Sequence, residues 1–563
     1  MMKKLSVIFL ALTMILSASP ALGGQKSSSR TGAIRGRLIT DDGQPILKAT
    51  VRINAVRMTS GVGRVVGVEE DGRFEAADLA SGLYRIFVIA PGYANPVNPA
   101  ERKFYRPGDF VTIKLARGGV ITGAVSAFTG EPVVAVPVRA IRVRDEEGRP
   151  LRFPSSSQSR QTDDRGVYRL YGLLPGYYLI AAGSGPSFTS MQFSDYTEHS
   201  PTYYPSATRD TAAEVAVRGG QEITGADIRY RAERGYSISG TVTGNIPPST
   251  MGGASVTLRQ ISGGVNQSVQ VMQGEARAFA IHGVADGEYE ITARSFAQTG
   301  EGDVSPARRV TVKGADVTGL ELALAPLGSI SGRIVLESSP TACKKDRTPL
   351  PQEIALTALE DRGKDEGVRQ ASETAPDEKG EFTLRGLEAA SYRLDFNLPD
   401  VWYVREITSP AGAKKTADTA AVAIKSGEKA TGLIIAIAEG AASLSGRLVG
   451  EKENEPLPSR TRLHLVPAEK ELSDNPLRYA EAIVKSDGLF AFTNIAPGRY
   501  RLLARAMADD EIFSDARPAV WDAAGRRKLR AEAETITAVI ELKPCQKMID
   551  HLLKFSPTVR KID

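Results

Sequence analysis

Cysteine and histidine are both scarce, with two cysteines and four histidines among 563 residues. None of His199, His282, His464 and His551 sits in a His-x-x-Glu or His-Glu-x-x-His arrangement, so zinc-dependent hydrolysis has no ligand set to use. Charge of one sign is missing as well. Lys and Arg number 71 against 66 Asp and Glu, a net charge of +5, and no basic run is long enough to track a phosphate backbone. Nucleic acid is therefore not an expected partner. Beyond the first two dozen residues no apolar run approaches the roughly 20 needed to span a bilayer, so no integral membrane span is expected after that point. No nucleophile elbow, Walker loop or dinucleotide fingerprint stands in a strand-to-helix setting. Acidic turns such as Asp41-Asp42-Gly43 and Asp163-Asp164-Arg165-Gly166 are too short to supply six or more oxygens to calcium, and Asp-Gly is good turn chemistry. No catalytic residue, metal ligand or cofactor is expected.

What is present begins with a targeting pattern. Lys3 and Lys4 precede an apolar stretch from Leu5 to Leu16, and Ala21-Leu22-Gly23 offers small residues for cleavage, so residues 1–23 read as a signal peptide. The mature chain is then expected to be exported, periplasmic or at the cell surface. In such a compartment Cys343 and Cys545, 202 positions apart, can bridge. Two independent thiols are the alternative, and spacing does not choose between them.

One pattern recurs five times. Each copy opens with a glycine flanked two residues away by apolar side chains, at Gly36, Gly123, Gly240, Gly332 and Gly446. A later strand carries an aromatic residue, at Phe74, Tyr168, Phe279, Phe382 and Phe490. Ten residues further on, in every copy, stands a tyrosine: Tyr84, Tyr178, Tyr289, Tyr392 and Tyr500. Between them lies a short turn, mostly Gly or Pro-Gly, so the ten-residue unit reads as a hairpin-like strand pair whose rings fill a core. Each copy ends in another β-rich segment: Phe110 to Leu115, Ala226 to Tyr230, Leu320 to Leu324, Leu433 to Ile437 and Ile536 to Leu542.

Six or seven short strands per copy, with no long helical periodicity, predict an all-β chain: five antiparallel β-sandwich modules in tandem. Their expected bounds are 33–116, 118–232, 235–325, 327–438 and 441–545, followed by a tail at 546–563. Within the tail, Cys545 to Phe555 reads as one or two helical turns. Trp402 to Thr419 reads as a loop insertion. Very short linkers such as Leu324 to Gly328 predict a semi-rigid rod.

The first copy reads Gly36-Arg37-Leu38, Pro45 to Val51, Asp71-Gly72-Arg73-Phe74 and Leu79 to Tyr84. This succession resembles the carboxypeptidase regulatory-like domains, and the resemblance covers nearly the whole chain after residue 33. It implies a transthyretin-like fold, related to some carbohydrate-binding modules and to collagen-adhesin B-type domains. The peptidase domain that gives the family its name is absent. The isopeptide bonds of some adhesin modules need a lysine in the opening strand, where this chain has Arg37, Ala124, Thr241, Arg333 and Arg447.

Ser184 to Tyr204 inserts Phe188, Phe193, Tyr196, Tyr203 and Tyr204 into the second module. Aromatics on a loop can stack on sugars or grip a partner, and they can equally cap the sandwich or pack on the next module. The expected function is a noncatalytic binding or scaffold protein of a bacterial-type cell envelope. Its partner would be an envelope protein or a glycan, the second reading being carbohydrate binding by one or two modules.

Overall fold

The structure is a computed structural model. It describes residues 31–555 apart from 58–62, 95–102, 157–158, 184–195, 247–252, 264–265, 272–276, 296–301, 340–342, 344–346, 410–420, 451–456, 459, 486 and 508–516. The signal-peptide segment lies outside the described residues.

Five β-sandwich modules follow one another, each with its own apolar core. In each, one sheet places the opening strand between the aromatic strand and the closing strand. For the first module these are Thr31–Thr40, Arg73–Ala80 and Phe110–Arg117. The second sheet is built on an antiparallel pair, Thr50–Ala55 with Tyr84–Ile89 in the first module and Thr461–Pro467 with Gly498–Ala506 in the fifth. One pairing departs from the antiparallel expectation. The opening strand runs antiparallel to the aromatic strand but parallel to the closing strand in all five modules.

The five glycines and five aromatics face one another directly: Gly36 with Phe74, Gly123 with Tyr168, Gly240 with Phe279, Gly332 with Phe382 and Gly446 with Phe490. A Cβ placed on Gly36 would stand 2.5 Å from the Phe74 ring and 2.4 Å from the Val111 carbonyl oxygen. On Gly446 it would stand 1.9 Å from the His551 carbonyl oxygen. A glycine is needed here because ring and closing strand both occupy the space of a side chain.

The ten-residue unit is not a hairpin. The aromatic strand pairs within the first sheet and the tyrosine strand within the second, so the turn between them carries the chain across the sandwich. Each tyrosine then ties the crossing down. Its hydroxyl donates to the carbonyl four residues back: Tyr84 to Ala80 (2.9 Å), Tyr178 to Leu174 (2.6 Å), Tyr289 to Ala285 (2.8 Å), Tyr392 to Glu388 (2.8 Å) and Tyr500 to Ala496 (2.7 Å). These are tyrosine corners. Burial raises all five phenols, Tyr178 and Tyr500 to about 12, so each remains a donor. The fixed spacing is the length of chain that lets a ring from each sheet enter one core between layers about 10 Å apart.

Three expectations are corrected. Lys547–Lys554, read as helical turns in a tail, is the closing strand of the fifth module and pairs in parallel with Ala442–Val449. Asp550 is left-handed there, at φ 56°, and this bulge breaks the alternation. Met548 and Leu553 face the core while Ile549 and Leu552 are exposed, which imitates a helical stripe in the sequence. Ile540–Leu542, the expected closing strand, pairs instead with the tyrosine strand. Trp402–Thr408, read as the start of a loop, is a strand beside the closing strand Lys429–Glu439, and Trp402 is buried in the fourth core.

The modules do not form a rod. Val56 and Leu83 of the first module meet Ala355 and Ala375 of the fourth in a buried apolar cluster, and Arg85 pairs with Glu373 beside it. Arg209 joins the second module to the third by donating to the carbonyls of Ser262 and Gly263. Arg362 joins the fourth to the third at Glu290 (3.3 Å). Between the fourth and fifth, a disulfide joins Cys343 to Cys545, with Cα atoms 5.4 Å apart. Arg517 reaches Asp361 (2.7 Å), and Asn494 donates to the carbonyls of Pro399 and Trp402 at the same junction. Modules one to four therefore close a circuit, and the fifth is fastened to the fourth.

Candidate functional site

The aromatic insertion of the second module leads to a cleft against the third. Thr202–Tyr203 adds a short strand to Gly176–Ala182, and Val215–Val217 adds another, so the insertion returns to the sheet it left. Phe188 and Phe193 lie outside the described residues. The other three aromatics turn toward protein. Tyr196 donates to the Val134 carbonyl (2.6 Å) and meets the Tyr230 ring edge-on at 5.7 Å. His199 Nδ1 lies 3.2 Å from the Tyr230 hydroxyl. Tyr204 packs on the core of the second module. Tyr203, 2% exposed, joins Ile141, Leu179 and Ala181 in a small cluster on the outer face of the second sheet. Of the five aromatics named from the sequence, the structure thus brings Tyr196, Tyr203 and Tyr204 to the sandwich wall, and none of these three is an open stacking platform.

Tyr203 does border a cavity. About 270 Å³ lies between the modules, lined from one side by Thr202, Tyr203 and Arg231 and from the other by Gln260, Gln267 and Tyr289. Arg231 pairs with Glu233 at the rim, and Gln260 and Gln267 are buried amides of the third module. Donors and acceptors of both kinds surround this space without a net charge of either sign. Such a lining suits a neutral polar ligand such as a sugar better than an ion. Arg231, Gln260 and Gln267 escaped sequence reading because they come from separate modules and share no local motif.

A second polar concentration lies in the fifth module. Arg462, His464 and Glu481 sit together on the outer face of its second sheet, with His464 only 1% exposed. Arg462 Nη1 is 3.2 Å and His464 Nδ1 3.4 Å from the carboxylate of Glu481. Burial alone would raise Glu481, but His464 and then Arg462 outweigh it and hold the carboxyl below its ordinary range. The helix Ala523–Glu534 packs beside this group through Leu529 and Ala533. His199 lies in the second module, His282 in the third, and His464 and His551 on different sheets of the fifth, and among the described residues no three metal-capable side chains come together.

No known protein family matches the chain, and no curated protein matches it. Solved structures similar to it include the Bacillus anthracis TIE protein, at 14% identity and TM-score 0.16, covering 77% of this chain and 73% of that one. The minor pilin GBS52 of Streptococcus agalactiae shares 11% identity at TM-score 0.20, over 39% of this chain and all of the pilin. A putative polysaccharide-binding protein of Bacteroides thetaiotaomicron shares 8% at TM-score 0.16, over 28% of this chain and 75% of its own. At this level of similarity none of their activities transfers to this chain. Among the described residues, no helix is long and apolar enough to cross a membrane.

Proposed function

We propose that the chain is an exported, noncatalytic binding or scaffold protein of a bacterial-type cell envelope, built from carboxypeptidase regulatory-like modules. The observation that carries this reading is the use made of the repeated residues. All five glycines, five aromatics and five tyrosines serve sandwich closure and the crossing between sheets, so the strongest signals in the sequence mark architecture and not a reacting centre. The signal-peptide pattern supplies the export half of the proposal. A second reading, recognition of a neutral glycan, is favoured by the cleft between modules two and three.

The purified mature chain, residues 24–563, is to be assayed on a glycan array and against immobilised envelope fractions, with a panel of hydrolase substrates in parallel. Saturable binding without turnover is the expected result. Glycan binding weakened at least tenfold in Arg231→Ala selects the second reading, because Arg231 borders the cleft and is partly exposed. Hydrolysis that persists through purification to homogeneity overturns both.

A further inference from the structure

A different cleft, between modules one and two, has an unbalanced charge. It encloses about 380 Å³, and among the described residues its charged lining consists of Arg142 and Arg160, with no carboxylate. Other arginines of the second module have acidic partners: Arg144 with Glu214, Arg149 with Asp145, Arg165 with Asp163 and Arg169 with Glu222. Arg160 instead donates to the Tyr171 hydroxyl (2.7 Å) and stacks 4.6 Å above that ring. Arg142 donates from Nη2 to the Pro175 carbonyl, while its Nε is buried without an acceptor among the described residues. Stacking and backbone bonding fix both guanidinium planes before any ligand arrives, which lowers the entropy lost on recognising a planar anion.

The rest of the cleft is apolar and open. Ile89 of the first module is 59% exposed and Tyr171 is 42% exposed, facing a cavity that the Pro91-Gly92 turn also borders. A ligand that matches must present a carboxylate at one end and a C–H face at the other. We propose that this cleft binds a carboxylate-bearing sugar, a uronic acid unit of an acidic glycan, with Arg142 and Arg160 on the carboxylate and Tyr171 and Ile89 against the ring. The volume suits roughly one or two sugar rings. An acidic peptide is the competing occupant, and the half-exposed Tyr171 ring beside the two guanidiniums favours the C–H face of a sugar over a peptide backbone. The proposal rests on the binding reading above and adds the ligand class.

Calorimetric titration of the full mature chain, disulfide intact, with a trimer of galacturonic acid tests it, with the neutral galactose trimer, acetate and a short polyglutamate as comparisons. The acidic trimer is expected to bind, and the other three at least tenfold more weakly. Arg160→Ala and, from the other wall, Ile89→Glu are each expected to reduce affinity for the acidic trimer tenfold or more. Ile89 is exposed enough for that change to leave the fold intact. Equal affinity for acetate or polyglutamate, or indifference to both substitutions, overturns the proposal. Binding of the neutral trimer alone also overturns it, yet leaves the general binding reading standing.

Discussion

Glu481 shows how much can rest on one carboxylate. Its neighbours Arg462 and His464 are buried, so removing the negative charge strands a cation in a dry place, a change that costs about 3–5 kcal/mol for buried pairs. Because its folded pKa lies below the ordinary value, the carboxylate's contribution is fully present above the unfolded-state pKa of about 4.3 and is lost as pH falls through the lower, folded value. Both tryptophans of the chain, Trp402 and Trp521, lie in modules four and five, and intrinsic fluorescence therefore reports on this half. Glu481→Gln is expected to lower the guanidinium midpoint followed by that fluorescence at pH 7, and to flatten its decline below about pH 4.5 relative to the parent chain. Parallel pH profiles for the two proteins would show that Glu481 does not carry this dependence.

At the scale of the element, the tyrosine corner joins two sheets that share no strand. Tyr392→Phe keeps the ring that fills the fourth core and deletes only the bond to the Glu388 carbonyl. A loss of about 1 kcal/mol is expected, more if the carbonyl stays dry, read as a lower fluorescence-detected denaturation midpoint. Tyr403→Phe, on a half-buried residue of the same module, is the control and should shift the midpoint by less than about 0.5 kcal/mol. The corner also explains what the sequence revealed and what it hid. Ring spacing and opening glycines were readable because each is a local constraint repeated five times. That the two strands belong to different sheets was not, since a hairpin and a crossing use the same turn chemistry. Left-handed bulges sit four residues after every aromatic, at Asp78, Gly172, Gly283, Gly386 and Asn494, and variable residue identity concealed that regularity. The helix Ala523–Glu534 was missed because Leu529 and Ala533 form too narrow an apolar stripe among six charged positions. The polar side chains of the cleft between modules two and three were illegible for another reason, since residues from two cores meet only after both have folded.

The whole molecule is organised by contacts of unequal strength. The fifth module is held to the fourth by a covalent bond, Arg517 to Asp361 and the two donations from Asn494. By contrast, the contact that closes modules one to four is a cluster of Val56 and Leu83 with two alanines, packed against the partly buried Phe104 and flanked by two partly exposed ion pairs, Arg85 with Glu373 and Arg57 with Asp377. Burying Val56 and Leu83 contributes roughly 1.5–3 kcal/mol each, and each ion pair adds about 1 kcal/mol or less, an advantage small enough for one substitution to reverse. Short linkers made neighbour packing foreseeable, whereas a contact between modules one and four leaves no trace in local sequence. Ala375→Arg, which forces a charged side chain into that cluster, is expected to open the circuit while each sandwich stays folded. Small-angle scattering would then show the maximum dimension growing by roughly 30 Å, about one module's diameter, with an unchanged far-ultraviolet dichroism spectrum. Arg85→Ala should give a smaller shift in the same direction, because it removes one ion pair and leaves the apolar contact and the Arg57–Asp377 pair. If neither variant alters the scattering profile, the first and fourth modules are not held together by this cluster in solution, and the extended rod expected from the linkers regains its standing.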